Sequence, residues 1–164
     1  MRSRALLSGV LLGLLACKPP ASSDESLATG TSAELRVIVE SRSAQDFYFQ
    51  AKPATKFFTP TTAEVAAFET GLAAWLRANV PPSRREGQPL ADRASKFMRQ
   101  YVGHVEPDGS RWIWGNFFCR YEGQEPGGWR KRHYGVKDGG DCYFNLEFSP
   151  DSRAFKSLSI NGEA

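Results

Sequence analysis

The sequence predicts an α+β domain in which one long helix packs on an antiparallel sheet of four to five strands. Three observations lead to this prediction. One amphipathic helix pattern stands out, between Thr61 and Val80. Most strand-like segments follow that helix, so strands and helices do not alternate as they do in a parallel α/β fold. Short turn sequences, and not helices, separate most of the later strands.

The first predicted strand lies in the run ELRVIVE, residues 34–40. Leu35, Val37 and Val39 alternate with polar side chains, and this period of two is typical of a strand with one buried face. The aromatic stretch 47–49 also favours β-structure. Because polar residues and a proline flank it, we expect either a strand end or an apolar loop there.

The predicted helix begins at Thr61 and ends before Pro81 and Pro82. Thr61 and Glu64 have the spacing of a capping box, in which each residue satisfies a backbone N–H near the other. Apolar residues then recur every three or four positions and form one stripe. The stripe consists of Val65, Phe68, Leu72, Trp75, Leu76 and Val80. The polar face has no basic cluster, so we expect the stripe to pack on a sheet and not on a membrane.

Four strands are predicted after the helix. The first lies within 95–105 and ends at the turn 106–109; the second, 111–120, is so aromatic that we expect both its faces to be at least partly covered. The third is 141–148 and the last is 155–160. Placed after a helix, these strands have the layout of cystatin-like or NTF2-like domains, which is an analogy of layout and not of sequence.

The start of the chain has the organisation of a secretory signal, with Arg2 and Arg4 before an apolar run too short to span a bilayer. The run ends in LLAC, residues 14–17, which resembles the lipobox of bacterial lipoproteins. The resemblance implies that residues 1–16 are a signal peptide and that Cys17 receives a diacylglyceryl group and usually an N-acyl chain such as palmitate. Two or more acyl chains anchor a protein stably. A plain signal peptide with a chance cysteine is the alternative.

Lys18 follows the cysteine, where enteric lipoproteins of the inner membrane have an aspartate. The resemblance therefore implies an outer-membrane anchor in an organism that has two membranes, with the domain facing the periplasm or the exterior. Residues 17–32 are poor in large apolar side chains and predict a flexible lipidated tether. Residues 33–164 are then long enough for a single α+β domain with one core.

The overall charge argues against a nucleic-acid partner. The formal net charge of the whole sequence is +3, and part of that excess leaves with the two arginines of the signal peptide. The remainder is too small for the phosphate neutralisation that dominates nucleic-acid binding. We expect the partners to be a membrane, through the anchor, and an envelope protein or a glycan. No cofactor is expected.

Cys119 and Cys142 remain as an even pair in a compartment that favours oxidation. Alternation places Cys119 on one face with Ile113 and Phe117, and Cys142 on one face with Phe144. Neighbouring strands would bring the two cysteines within bridging distance, so we predict a disulfide. Two unlinked buried thiols are the alternative.

The segment between the cysteines, residues 121–140, is long and lacks a clear period. One interpretation is a solvated hairpin excursion with glycine turns, tied at its base by the disulfide. The other is a recognition loop in which a tryptophan anchor and a basic cluster bind an anionic glycan, a lipid headgroup or a protein. The candidate binding residues are Trp129, Arg130, Lys131, Arg132, His133, Asp138 and Asp141.

No catalytic or metal motif is evident in the sequence. The stretch DGGD, residues 138–141, lacks the acidic spacing and terminal glutamate of an EF-hand, so we expect its glycines to turn the chain and no metal to bind. His104 and His133 are the two histidines, and we expect His104 to be structural. The preferred function is a non-enzymatic binding or envelope-maintenance module that uses the 121–140 loop. The alternatives are a hydrolase-type enzyme using His104, His133 or the aspartates Asp138 and Asp141, and an inhibitor of an exogenous hydrolase.

The run VKDGGDCYFNLEF, followed by the final SLSINGEA, resembles the C-terminal halves of uncharacterised bacterial secreted proteins and lipoproteins. The resemblance implies a pair of strands that ends in Asn-Gly. It implies no activity, because none is attached to those proteins.

Overall fold

The computed structural model describes residues 34–48, 55–81, 88–120 and 127–162. The predicted signal peptide, Cys17 and the tether lie outside the described residues, as does the beginning of the 121–140 segment. Within the described ranges the chain is α+β, with an open mixed sheet of six strands and a helix on one of its faces.

The sheet has the order β1-β3-β4-β5-β6, and β2 pairs with the second half of β3. The strands are β1 (Arg36–Ile38), β2 (Lys56–Phe58), β3 (Met98–Val105), β4 (Arg111–Phe118), β5 (Tyr143–Phe148) and β6 (Phe155–Ile160). The prediction of a purely antiparallel sheet is wrong at β1, which runs parallel to β3. Parallel neighbours need a long crossover, and the connection from β1 to β3 contains the main helix and meets that need.

The helix α1 spans Thr62–Asn79, and the predicted capping box is present. The hydroxyl of Thr61 accepts a hydrogen bond from the Glu64 N–H at 3.2 Å, and the Glu64 carboxylate accepts one from the Thr61 N–H at 2.8 Å. A shorter helix, α2, follows at Leu90–Arg93. Neither these helices nor the 3₁₀ turns of the described ranges combine the length and apolarity that a membrane span requires.

One face of the sheet, which we call the helix face, packs on the apolar stripe of α1. The stripe residues buried there are Val65, Phe68, Leu72 and Leu76. The ring of Phe68 lies 5.3 Å from that of Tyr101 and 5.9 Å from that of Phe117, measured between centroids. A Cβ on Gly115 would lie 2.7 Å from the Phe68 ring, so glycine at this position lets the helix approach β4.

The opposite face, which we call the segment face, is covered by two pieces of chain without long helices or strands. A 3₁₀ turn at Ser41–Asp46 leads into Phe47 and Tyr48, which pack on Val102 and Trp114. Residues 127–137 pack on the same face near the end of β4, where Trp129 and Tyr134 contact Phe118. The prediction that both faces of the aromatic strand β4 are covered is therefore confirmed.

The predicted disulfide joins Cys119 and Cys142, whose Cα atoms lie 5.1 Å apart. The Cys119 N–H also donates to the Cys142 carbonyl at 2.9 Å, so the bridge continues the β4–β5 ladder. A closed loop of this size stabilises the fold by ~3 kcal/mol on the chain-entropy account, because it restricts the unfolded chain.

Candidate functional site

Residues 127–137, which we call the covering segment, lie against the sheet. Trp129 is 6% exposed, and its ring meets that of Phe118 edge-on with centroids 5.8 Å apart. In the recognition-loop interpretation Trp129 would anchor a partner, whereas the structure buries its indole against β4. The aromatic side chains of β4 on the segment face need a cover, and the indole of Trp129 provides part of it.

Two buried amide side chains hold the backbone of the covering segment. The Gln100 Nε2 group donates to the carbonyl oxygens of Trp129 at 2.5 Å and Arg132 at 2.8 Å. Its Oε1 atom accepts from the Tyr134 N–H at 3.2 Å. Asn116 Nδ2 donates to the Tyr134 carbonyl at 2.7 Å and to Gln100 Oε1 at 2.8 Å. Strands β3 and β4 thus satisfy backbone groups that no helix or sheet ladder satisfies.

A groove of about 440 Å³ lies between the covering segment and strands β5 and β6. This volume is within the range of small-ligand pockets. Of the residues that the structure describes, none with a carboxylate lines the groove. Its polar lining side chains are Asn116, His133, Lys137, Asn145, Ser159 and Asn161.

The outer wall of the groove is tied to the end of β6. Asn161 Nδ2 donates to the Val136 carbonyl at 2.7 Å, and the Gly140 N–H donates to the Gly162 carbonyl at 3.0 Å. Asp138 forms a backbone bridge with Gly162. The groove is therefore fixed on its inner side by the amides of β3 and β4 and on its outer side by the chain after β6.

The DGGD stretch turns the chain, as expected. Gly139 and Gly140 both have positive φ angles, 117° and 55°, which L residues rarely adopt. The Asp141 carboxylate accepts from the guanidinium of Arg93 at 2.5 Å, and Arg93 is 1% exposed. Asp138 is exposed and pairs through its backbone. The two aspartates therefore do not form a common site, and the described residues contain no cluster of three His, Cys, Asp or Glu that could hold a metal.

The basic residues of the covering segment are divided between packing and exposure. The guanidinium of Arg130 lies 4.3 Å above the ring of Trp129 and donates to the backbone carbonyls of Glu34 and Arg36. Lys131 and Arg132 are exposed. Arg130 therefore fastens the segment to the start of β1, while its neighbours face solvent.

His133 lies between the sheet and the groove. Its ring is 5.7 Å from that of Trp114, and its Nε2 atom would be 2.6 Å from a Cβ on Gly135, so glycine there makes room for the imidazole. Burial lowers the pKa of His133 below 6.5, although a hydrogen bond with the backbone of Phe47 opposes the shift. The groove therefore presents a neutral imidazole at neutral pH.

His104 belongs to a separate, buried polar cluster on the segment face. Its Nε2 atom lies 2.8 Å from Glu147 Oε1, the Tyr48 hydroxyl donates to the same oxygen at 3.2 Å, and the Tyr48 ring stacks on the imidazole at 4.8 Å. Burial alone raises the pKa of Glu147, but hydrogen bonds from His104 and Ser157 and the nearby positive charge outweigh it, so the pKa lies below its usual value. The arrangement stabilises a buried carboxylate.

The alternative function, a hydrolase that uses these residues, would need a histidine and a carboxylate that meet at an accessible cavity. His104 meets a carboxylate but is 5% exposed and lines neither of the two described cavities. His133 lines the groove, whose described lining has no carboxylate. The two requirements are met at different places, so the described residues do not assemble such a centre.

A second cavity, of about 390 Å³, lies beside α1 and α2. Its charged side chains already pair with one another. Arg99 contacts Glu69 at 3.1 Å, and Arg77 contacts Asp92 at 2.7 Å. The charges that line this cavity are thus engaged in ion pairs, whereas the described lining of the groove holds a lysine and no carboxylate.

The asparagines that line the groove and the glutamine that holds its wall were not predicted from the sequence. A signal was present for Asn116, which lies two residues from Trp114 and from Phe118 in an aromatic strand. A polar residue on an apolar face needs a buried partner, and here the partner is the covering segment. Asn145, Ser159 and Asn161 carried no comparable signal, because their positions depend on the strand register.

Comparisons of the chain with protein-family models, curated proteins and solved structures find no significant match.

Proposed function

We propose that this protein is a lipid-anchored binding module of the cell envelope and that the groove beside the covering segment is its ligand site. The anchor rests on the basic start, the short apolar run and the cysteine of the LLAC sequence. Lys18 supports an outer-membrane location in an organism that has two membranes. The finer layout, with one long helix across the sheet as in cystatin-like or NTF2-like proteins, is part of the same proposal.

The ligand site is supported by one observation above all, which is that the groove carries several polar side chains among apolar ones and is held in place from both sides. Gln100 is fully buried and uses its amide to fix the segment that forms the groove wall. A site fixed before the ligand arrives loses little conformational freedom on binding. The lining amides, the lysine and the neutral imidazole can then all serve recognition.

Binding is favoured over hydrolysis because the histidine that contacts a carboxylate is enclosed. His104 and Glu147 are buried beneath Tyr48, and a substrate would have to displace that ring to reach them. The cluster therefore supports a role in stability, and the proposed function assigns it none in chemistry.

The anchor is tested by expressing the full chain in a bacterial host and analysing the N-terminal peptide of the mature product by mass spectrometry. We expect a peptide that begins at an acylated Cys17, in a protein that sediments with membranes. The Cys17→Ala variant should be absent from the membrane fraction, whereas the Lys18→Ala variant should remain associated with a membrane. A mature product with an unmodified cysteine would contradict the anchor.

The ligand site is tested by recording the side-chain amide signals of the purified mature protein by NMR while candidate ligands are added. The panel holds acidic and neutral oligosaccharides, peptides and vesicles of anionic lipid. We expect a ligand to shift the signals of Asn116, Asn145 and Asn161 while Asn79 on α1 stays unchanged, and Asn145→Ala to weaken its binding more than Asn79→Ala does. A panel that leaves all three groove amides unchanged would contradict the proposal.

A further inference from the structure

We propose that the groove binds an acidic oligosaccharide, a sugar chain that carries a carboxylate, because amide oxygens, a hydroxyl, an aromatic ring and one exposed lysine meet there. This inference rests on the proposed function and names the ligand class of the same site.

The amide groups of the groove present acceptors to a ligand. Asn116 Nδ2 has two hydrogens, and these are donated to Gln100 and to the Tyr134 carbonyl. Asn161 Nδ2 donates to the Val136 carbonyl at 2.7 Å and to the Asp138 carbonyl at 3.5 Å. What these two side chains offer a ligand is therefore chiefly their oxygen atoms, which accept hydrogen bonds. A ligand for this groove must carry donors, and sugar hydroxyls donate.

Further along the groove, two side chains on neighbouring strands can each donate and accept hydrogen bonds. Asn145 on β5 is paired in register with Ser159 on β6, and both line the groove. An amide and a hydroxyl together can match sugar hydroxyls, which also donate and accept. Bare phosphate, which is mainly an acceptor at neutral pH, would find the oxygens of Asn116 and Asn161 unfavourable. The site therefore favours a saccharide over a lipid phosphate.

The charge of the groove selects an acidic sugar. Lys137 is exposed at the groove and, among the described lining residues, no carboxylate competes for it. Asp138 follows it in the chain but is not part of the lining. Lys131 and Arg132 add positive charge on the same segment. A carboxylate on the ligand would pair with Lys137 at the solvent side, while hydroxyls reach the amides.

An aromatic ring supplies the apolar contact that a sugar also needs. Tyr143 lines the groove and is half-buried, and its ring is held in a stack with Tyr134 at 6.3 Å between centroids. The faces of such rings are apolar and can cover the C–H groups of a sugar. The groove volume lies at the lower end of the range for ligand pockets, so we expect a short stretch of chain to bind.

The inference is tested by NMR titration of the mature protein with a trimer of galacturonic acid and with its methyl ester, which has the same chain and no charge. We expect the acid to bind about fivefold more tightly than the ester, since an exposed ion pair contributes modestly. Lys137→Met should abolish that difference, and Lys131→Met should keep most of it. Both lysines are exposed, so unchanged thermal unfolding will show that the variants fold.

The possible outcomes separate this inference from the proposed function. Equal affinity for acid and ester overturns the acidic class, and a difference that survives Lys137→Met overturns the pairing of the ligand carboxylate with Lys137. If vesicles of anionic lipid or a peptide shift the groove amides and neither saccharide does, the saccharide is overturned while the ligand site stands. If nothing in the panel shifts them, both proposals fail.

Discussion

The two faces of the sheet are covered in different ways. The helix face is closed by a periodic apolar stripe, and the helix satisfies its own backbone hydrogen bonds. The segment face is covered by irregular chain whose backbone is satisfied by side chains of the sheet, Gln100 and Asn116 above all. The first cover gives an apolar core, beside which lies a cavity whose charged side chains are ion-paired. The second leaves a groove lined by both amide and apolar side chains at its margin, and the candidate site lies there.

The largest effect is expected on the helix face. Phe68→Ala removes a fully buried ring that contacts aromatic side chains of four strands, and we expect the free energy of unfolding to fall by ~3–5 kcal/mol. Urea unfolding followed by tryptophan fluorescence measures this loss. The groove amide signals should keep their positions while the protein stays folded. Large shifts at Asn145 would mean that the two faces are not independent.

The next effect is expected on the segment face. Gln100→Leu is of similar size but removes the hydrogen bonds that Gln100 makes to two carbonyls and one N–H of the covering segment, and each such group that stays buried without a substitute partner costs ~1–3 kcal/mol. We expect a smaller net loss, because the segment can swing out to water. Hydrogen exchange should therefore accelerate at residues 129–134 and not in α1. Equal acceleration of hydrogen exchange in the covering segment and in α1 would show that the segment does not open independently of the rest of the fold.

A smaller effect is expected from pH. Because burial holds the pKa of His133 below 6.5, the unfolded chain takes up a proton at this residue before the folded chain does. The contribution of His133 to stability is complete above pH 6.5 and declines as pH falls towards the lower folded-state pKa. His133→Gln should reduce the loss of unfolding free energy between pH 7.5 and 5.5. The titration of Glu147 does not contribute between pH 7.5 and 5.5, because its pKa lies below 4.5.

The contrast between the two faces also explains which parts of the structure could be predicted from the sequence. The helix was predictable at both ends, because its cap and its stripe are local patterns. The parallel pairing of β1 with β3 was not predictable, because it depends on where the chain rejoins the sheet after a connection of many residues. The covering segment has no period, so nothing local distinguished a buried Trp129 from an exposed one. The disulfide was predicted from strand alternation, and it forms although Cys119 follows the end of β4 and Cys142 ends a 3₁₀ turn just before β5.

The central claim is that the segment held by Gln100 forms the wall of a ligand site, and the most direct test is the affinity of the Gln100→Leu protein for the acidic trisaccharide. Below the unfolding transition, we predict that this variant binds at least about tenfold more weakly than the wild type, which corresponds to ~1.4 kcal/mol. Affinity equal to that of the wild type, in a variant whose segment exchanges rapidly, would contradict the account.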